Sequence, residues 1–172
     1  PYPCSSLLTS DHRQLYSNQN LIFHNEGSGG TFATSRYILG RQIPWEDPLR
    51  LAIDKCDSFQ GINTVFSTCG RTSGVASLLI ERFGVDYPKK SLFCMGQLPD
   101  TGSGGTNIVE PINSGMCVDH MDEYHDLLVY WQNEALYRVL DRKLGMLDPG
   151  LGEIDRLLAC GFSDFYSGIR YK

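Results

Sequence analysis

The stretch "FSTCGRTSGVASLLIERFGVDYPKKS", Phe66 to Ser91, sets a short turn between an apolar run and an amphipathic helix. Before it, "GINTVFST" is β-branched and aromatic, which favours a strand. After it, Val75, Leu78, Leu79 and Phe83 recur at helical spacing with Glu81 and Arg82 turned outward, and Gly84 is the expected stop. Strand, turn and helix in that order builds a phosphate cradle, because the unpaired N–H groups and the dipole of the helix both favour an anion. Such a cradle needs backbone that comes close to phosphate, and this turn carries Cys69, Arg71 and Thr72 where glycine serves best.

Working outward, the same alternation continues. "RQIPWEDPLRLAIDKC" holds Pro44 and Pro48, which forbid one long helix but allow a short one with Pro48 in its first turn. "SLFCMGQL" reads as a second strand, a helix is expected from near Ile112 and Asn113, and "DLLVYW" reads as a third strand. Ala135, Leu136, Val139 and Leu140 have helical spacing, with a break expected at Asp148-Pro149-Gly150. Ile154 to Ile169 is the last helical segment. Strands alternating with helices predict an α/β fold with a mainly parallel sheet and ligands at the carboxyl ends of its strands.

The 172 residues fit one domain by length, and 41% apolar with 20% charged residues describe a globular chain. A net charge of −5 with 15 scattered Lys and Arg argues against a nucleic-acid partner. No apolar run reaches the roughly 18 residues of a membrane span, and no signal-peptide pattern is present, so the expectation is a cytoplasmic protein with no membrane partner. The six cysteines form no C-x-x-C pair, the pattern of separate buried thiols, although an even count leaves a disulfide framework open. The opening "PYPC" points to a processed or truncated product.

Seven segments resemble one family: "RQLYSNQNLI" (13–22), "RYILGR" (36–41), "CDSFQG" (56–61), "SLLIERFGVDYPKKS" (77–91), "IVEPINS" (108–114), "NEALYRVLDRKL" (133–144) and "DRLLACGFSDFYSGIRY" (155–171). In order and spacing they are similar to the nucleotide-binding domain of α-tubulin, in the tubulin and bacterial division GTPase superfamily. The resemblance implies that family's doubly wound, mainly parallel sheet with helices on both faces. It also implies that residues 1–172 are a single, partial nucleotide-binding domain, starting after the family's first strands and stopping inside its long core helix. The family's catalytic acid lies beyond that helix, so the resemblance assigns no catalytic residue here.

The resemblance places the phosphate turn at "TCGRTSG", against a family signature G-G-G-T-G-S-G. Cys69 and Arg71 stand at glycine positions and the segment is one residue shorter, leaving Gly70, Thr72, Ser73 and Gly74. A Cβ at a positive-φ position costs on the order of 1 kcal/mol, so several N–H groups are expected off target. Arg71 is either a direct phosphate partner or a solvated turn residue. Glu110 and Asn133 match the positions that contact ribose and guanine, Leu151 replaces the aromatic that stacks on the base, and Asp155 replaces an amide beside it. Two copies of "GSGGT", 27–31 and 102–106, are either anion nests or flexible connectors.

By resemblance, then, the expected function is that of a tubulin-like structural protein of the cytoplasm and cytoskeleton, related to microtubules, with a degenerate GTP site. Mg²⁺ is expected only with bound nucleotide, and the expected partners are tubulin subunits or tubulin chaperones. The alternative is a working GTP-binding, GTP-hydrolysing subunit, or a fragment of a longer one. "DHMDEYHD" (119–126) spaces His120 and His125 five apart, which is not one helical face and favours a solvated acidic surface over a metal site. Ser73, His24 and Asp86 lack the G-x-S-x-G elbow of a hydrolase triad.

Overall fold

The structure, a computed structural model, describes residues 30–70, 72–100 and 108–170. Arg71, His24 and most of both "GSGGT" copies lie outside the described residues. In chain order the elements are α1 (residues 32–42), α2 (Glu46–Asp54), β1 (Gly61–Ser67), α3 (Thr72–Asp86), β2 (Ser91–Gln97), α4 (Val109–Met121), β3 (Leu127–Trp131), α5 (Asn133–Leu144) and α6 (Leu151–Arg170). Within α1 the middle turn, Ser35–Leu39, is a π-helical turn.

Among the described residues three strands form one parallel sheet in the order β1-β2-β3, with Gly61 opposite Ser91 and Phe93 opposite Leu127. A parallel sheet must be covered on both faces, which is why "LFCM" in the middle strand is continuously apolar. Alternate residues of β2 divide between two helical layers. Leu92 and Cys94 join Phe32, Phe66, Ile80, Phe83, Cys117 and Met121 in a core under α1, α3 and α4. Phe93 faces the other way, against Phe165 and Tyr166 of α6, while Trp131 of β3 meets Phe162 edge to face. The predicted parallel sheet with helices on both faces is therefore what the chain forms. Each of the large buried side chains contributes about 1.5–3 kcal/mol through its removal from water.

Three boundaries differ from the sequence expectation. α3 runs through Gly84 to Asp86, where the Tyr124 side chain lies close enough to pack on Gly84. α4 starts at Val109, ahead of Ile112, and carries Glu110 in its first turn. α5 stops at Gly145, before Asp148-Pro149-Gly150: Gly145 takes φ 62°, and the N–H groups of Gly145 and Met146 donate to Asp141 and Leu140 carbonyls at 3.0 and 3.1 Å. That left-handed glycine cap satisfies the last carbonyls one turn before the proline is reached.

The helices α1 and α3 touch closely enough to exclude a side chain. A Cβ on Gly74 would lie 2.4 Å from the Phe32 carbonyl oxygen and 2.5 Å from the Arg36 nitrogen. Beside this contact Arg36, 8% exposed, donates to Ser77 Oγ at 2.8 Å and pairs with Glu81.

Candidate functional site

The carboxyl ends of the strands are tied into one ledge. Thr68 donates both its N–H (2.9 Å) and its hydroxyl (2.8 Å) to the Gln97 carbonyl, carrying the β1–β2 ladder past the end of β1. Leu98 N–H donates to the Trp131 carbonyl at 2.8 Å, and Gln132 Nε2 donates to the Pro99 carbonyl at 2.7 Å. The helices α3, α4 and α5 follow β1, β2 and β3 in turn and so start from this same edge.

Of the residues the sequence singled out, Gly70, Thr72, Ser73 and Gly74 form the turn and first turn of α3. Glu110, half-buried, lies in the first turn of α4, and Asn133, half-buried, opens α5 directly after β3. The topology therefore gathers these onto one edge. Leu151 (67% exposed) and Asp155 are exposed in the first turns of α6, and among the described residues no hydrogen bond links either to the turn.

The turn itself departs from the expected strain. Among the described residues only Gly30, Gly145 and Asp148 have positive φ, so Cys69 is in a conformation any side chain adopts. Gly70 also faces open space, with nothing within 4 Å of an added Cβ. Gly74 is the demanding glycine, and it serves the contact with α1. Ser73, fully buried, directs its hydroxyl (2.7 Å) and its N–H (3.2 Å) to the Gly70 carbonyl. Two donors at the start of α3 thus point back into the turn.

Behind the turn stand residues that the sequence reading passed over. Asn113, 2% exposed, accepts from Phe32 N–H at 2.9 Å and donates through Nδ2 to the carbonyls of Gly30 (2.8 Å) and Cys69 (3.5 Å). Ser114 Oγ lies 2.8 Å from Thr68 Oγ1, and since the Thr68 hydrogen is spent on Gln97, Ser114 donates. Cys117 Sγ is 3.5 Å from the Ser73 carbonyl, and burial, with the Cys69 thiol adding to it, pushes its pKa up to about 12. The signal was present: Asn113, Cys117 and Met121 follow at i, i+4 and i+8, so an amide sits on the apolar face of α4.

Two clefts lie away from this ledge: one of about 380 Å³ lined by residues including Arg41, Trp45 and Arg82, and one of about 300 Å³ lined by residues including Ile62, Phe93 and Tyr166. In the acidic segment, the His120 ring stacks on Phe32 with centroids 5.3 Å apart, and His125 Nδ1 lies 2.6 Å from the Met121 carbonyl. No helix among the described residues is long and apolar enough to cross a membrane.

A turn from strand to helix at the carboxyl edge of a parallel sheet is a place where ligands bind in α/β folds, and comparison with known sequences gives the family. The model of the Tubulin/FtsZ family, GTPase domain, matches residues 5–141. The chain belongs to the Tubulin/FtsZ family. Within that family it is similar to the tubulin alpha-2 chain of Eleusine indica, 32% identical over 174 residues that cover 99% of this chain and 39% of that protein. It is likewise similar to the tubulin alpha-1 chain of Pelvetia fastigiata (33% over 174 residues) and the tubulin alpha-2B chain of Physarum polycephalum (32% over 176 residues), covering 99% of this chain and 38% of each relative. This tubulin-family chain thus spans less than two fifths of the length of those curated relatives.

Proposed function

We propose that this tubulin-family chain is a cytoskeletal, microtubule-related structural protein of the cytoplasm whose residues 1–172 form one partial nucleotide-binding domain with a weakened GTP site. The observation that supports the weakened site is Ser73, whose N–H and O–H are both committed to the Gly70 carbonyl where an anion cradle needs outward donors. Gly70 is open and Thr72 is exposed, so a phosphate has room to approach the turn but meets fewer donors there.

In this reading Gly70, Arg71, Thr72, Ser73 and Gly74 are the segment assigned to the phosphates, Glu110 is assigned to the ribose, and Asn133 to the guanine. Leu151 gives the base no aromatic platform, a loss worth about 1–3 kcal/mol by analogy with stacked bases, while Asp155 accepts from guanine N–H groups. GTP is the ligand and Mg²⁺ accompanies it only when nucleotide is bound, neutralising phosphate charge. The partners in this reading are tubulin subunits or tubulin chaperones.

Calorimetric titration with GTP tests the proposal. The expected Kd is weaker than about 10 μM, less than roughly 7 kcal/mol of binding. Inserting a glycine after Arg71 together with Cys69→Gly and Arg71→Gly should tighten it. A submicromolar Kd with preference for guanine over adenine in the unaltered chain refutes the weakened site.

A further inference from the structure

Three consecutive inward positions of α4 hold the phosphate turn from behind. Asn113 reaches the Cys69 carbonyl, Ser114 the Thr68 hydroxyl and Cys117 the Ser73 carbonyl. Asn113 does more than brace the turn. Its Oδ1 takes the first amide of α1 and its Nδ2 takes the carbonyl of Gly30, whose φ of +74° makes it the bend into α1. One buried amide therefore joins two backbone segments that are 39 positions apart in sequence and meet at the same edge of the sheet.

Only a carboxamide satisfies this set of partners, because the site presents one donor and two acceptors to a single planar group. A carboxylate at 113 would keep the bond to Phe32 N–H but set its second oxygen against two carbonyls. A hydrocarbon would strand all three. Glu110 lies one turn earlier on the same rigid helix, so the helix that fixes the turn also carries the carboxylate assigned to ribose.

We propose that Asn113, seconded by Ser114, is a positioning residue for nucleotide binding: it sets the Gly30–Thr31 bend and the Cys69–Gly70 peptide at one separation, so that phosphate meets both as a single preformed surface. The proposal rests on the GTP reading above. Asn113 acts through backbone and touches no nucleotide atom.

The test compares the parent chain with Asn113→Asp and Ser114→Ala, the second being the milder change because Thr68 keeps its bonds to Gln97. GTP affinity is read by calorimetry, thermal stability by circular dichroism, and amide exchange of the free protein by mass spectrometry. The expected results are a GTP Kd raised about tenfold in Asn113→Asp and two- to fivefold in Ser114→Ala. Exchange should accelerate over residues 30–32 and 69–70 in Asn113→Asp, and over 69–70 in Ser114→Ala, while amides around Ile80 in α3 stay protected. A role confined to stability would instead loosen Ile80 along with the turn. Should Asn113→Asp not fold, Ser114→Ala alone decides. A parent chain that binds GTP while the folded variants bind equally well overturns this proposal and leaves the GTP reading standing. A parent chain that binds no GTP at millimolar concentration overturns both.

Discussion

Replacing Gly74 by alanine, with Gly70→Ala as its partner experiment, separates the two purposes that a glycine in this turn can serve. At Gly74 the new methyl would meet backbone on two sides, 2.4 Å from the Phe32 oxygen and 2.5 Å from the Arg36 nitrogen, with Ser35 Cβ at 2.9 Å. Backbone cannot swing aside as a side chain can, so α1 must withdraw by about 1 Å to restore ordinary contact. Overpacking of this kind costs about 1–3 kcal/mol, and loosening the Arg36–Ser77 hydrogen bond adds about 0.5–1.5 kcal/mol. Alanine's better helix propensity returns about 1 kcal/mol. The net expectation is a loss of about 0.5–3.5 kcal/mol, centred near 2, or a Tm lower by roughly 1–14 °C for a chain of this size. Gly70→Ala has no neighbour within 4 Å and no positive φ to oppose it, so its effect should fall between zero and a gain of about 1 kcal/mol. Urea unfolding followed by circular dichroism measures both. Equal stabilities for the two variants, or a Gly74→Ala protein as stable as the parent, would refute the assignment of Gly74 to helix contact.

Two further outcomes follow from buried groups. Tyr130 has a buried hydroxyl with no hydrogen-bond partner among the described residues, so Tyr130→Phe should be neutral or stabilising by about 1 kcal/mol in urea unfolding; a loss above about 1 kcal/mol would show that the hydroxyl is satisfied. Burial pushes the Cys117 thiol up to about 12 from 9.0, so the folded chain holds this proton more tightly than the unfolded one. Its contribution is complete below pH 9 and is lost as pH rises from about 9 to 12; stability measured across that window should decline, and Cys117→Ala should flatten part of the decline.

The fold was legible because its signals are local. β1 and β3 are short runs with β-branched and aromatic residues, β2 is a short apolar run, and α2, with Pro48 in its first turn, lies where the proline allowed it. Helix ends were harder: Gly84 looked like a stop but lies within α3, and Gly145 ended α5 before the more conspicuous Asp148-Pro149-Gly150. Spacing along the chain cannot tell a glycine in a packed helix from one in a left-handed cap.

Position at the carboxyl edge was likewise legible for Gly70, Thr72, Ser73, Glu110 and Asn133, since each follows a strand or opens the next helix. The conformation of the turn was not. An expectation of positive φ at Cys69 came from a pattern of glycines, whereas the actual backbone depends on Thr68 and Asn113, whose partners are distant in sequence, and on Ser73, which bonds back to Gly70. Polar residues on an apolar helix face mark such partners in principle, but the identity of the partner appears only in three dimensions.

The order of strands in the sheet also has a bearing on how the chain acquires its shape. Among the described residues β1 pairs with β2, about thirty residues later, and β2 with β3, at a somewhat longer interval. A polypeptide leaving a ribosome at about 5–20 residues per second presents each new strand within roughly 2–7 seconds of its neighbour. The sheet can therefore be laid down in the order of synthesis, each helix covering a strand before the next one arrives, and among the described residues no early strand waits for a partner from the far end of the segment. Because β2 is the template for both pairings, a change that delays its formation leaves β1 and β3 unpaired together, and the yield of folded protein falls even where the finished structure tolerates the change.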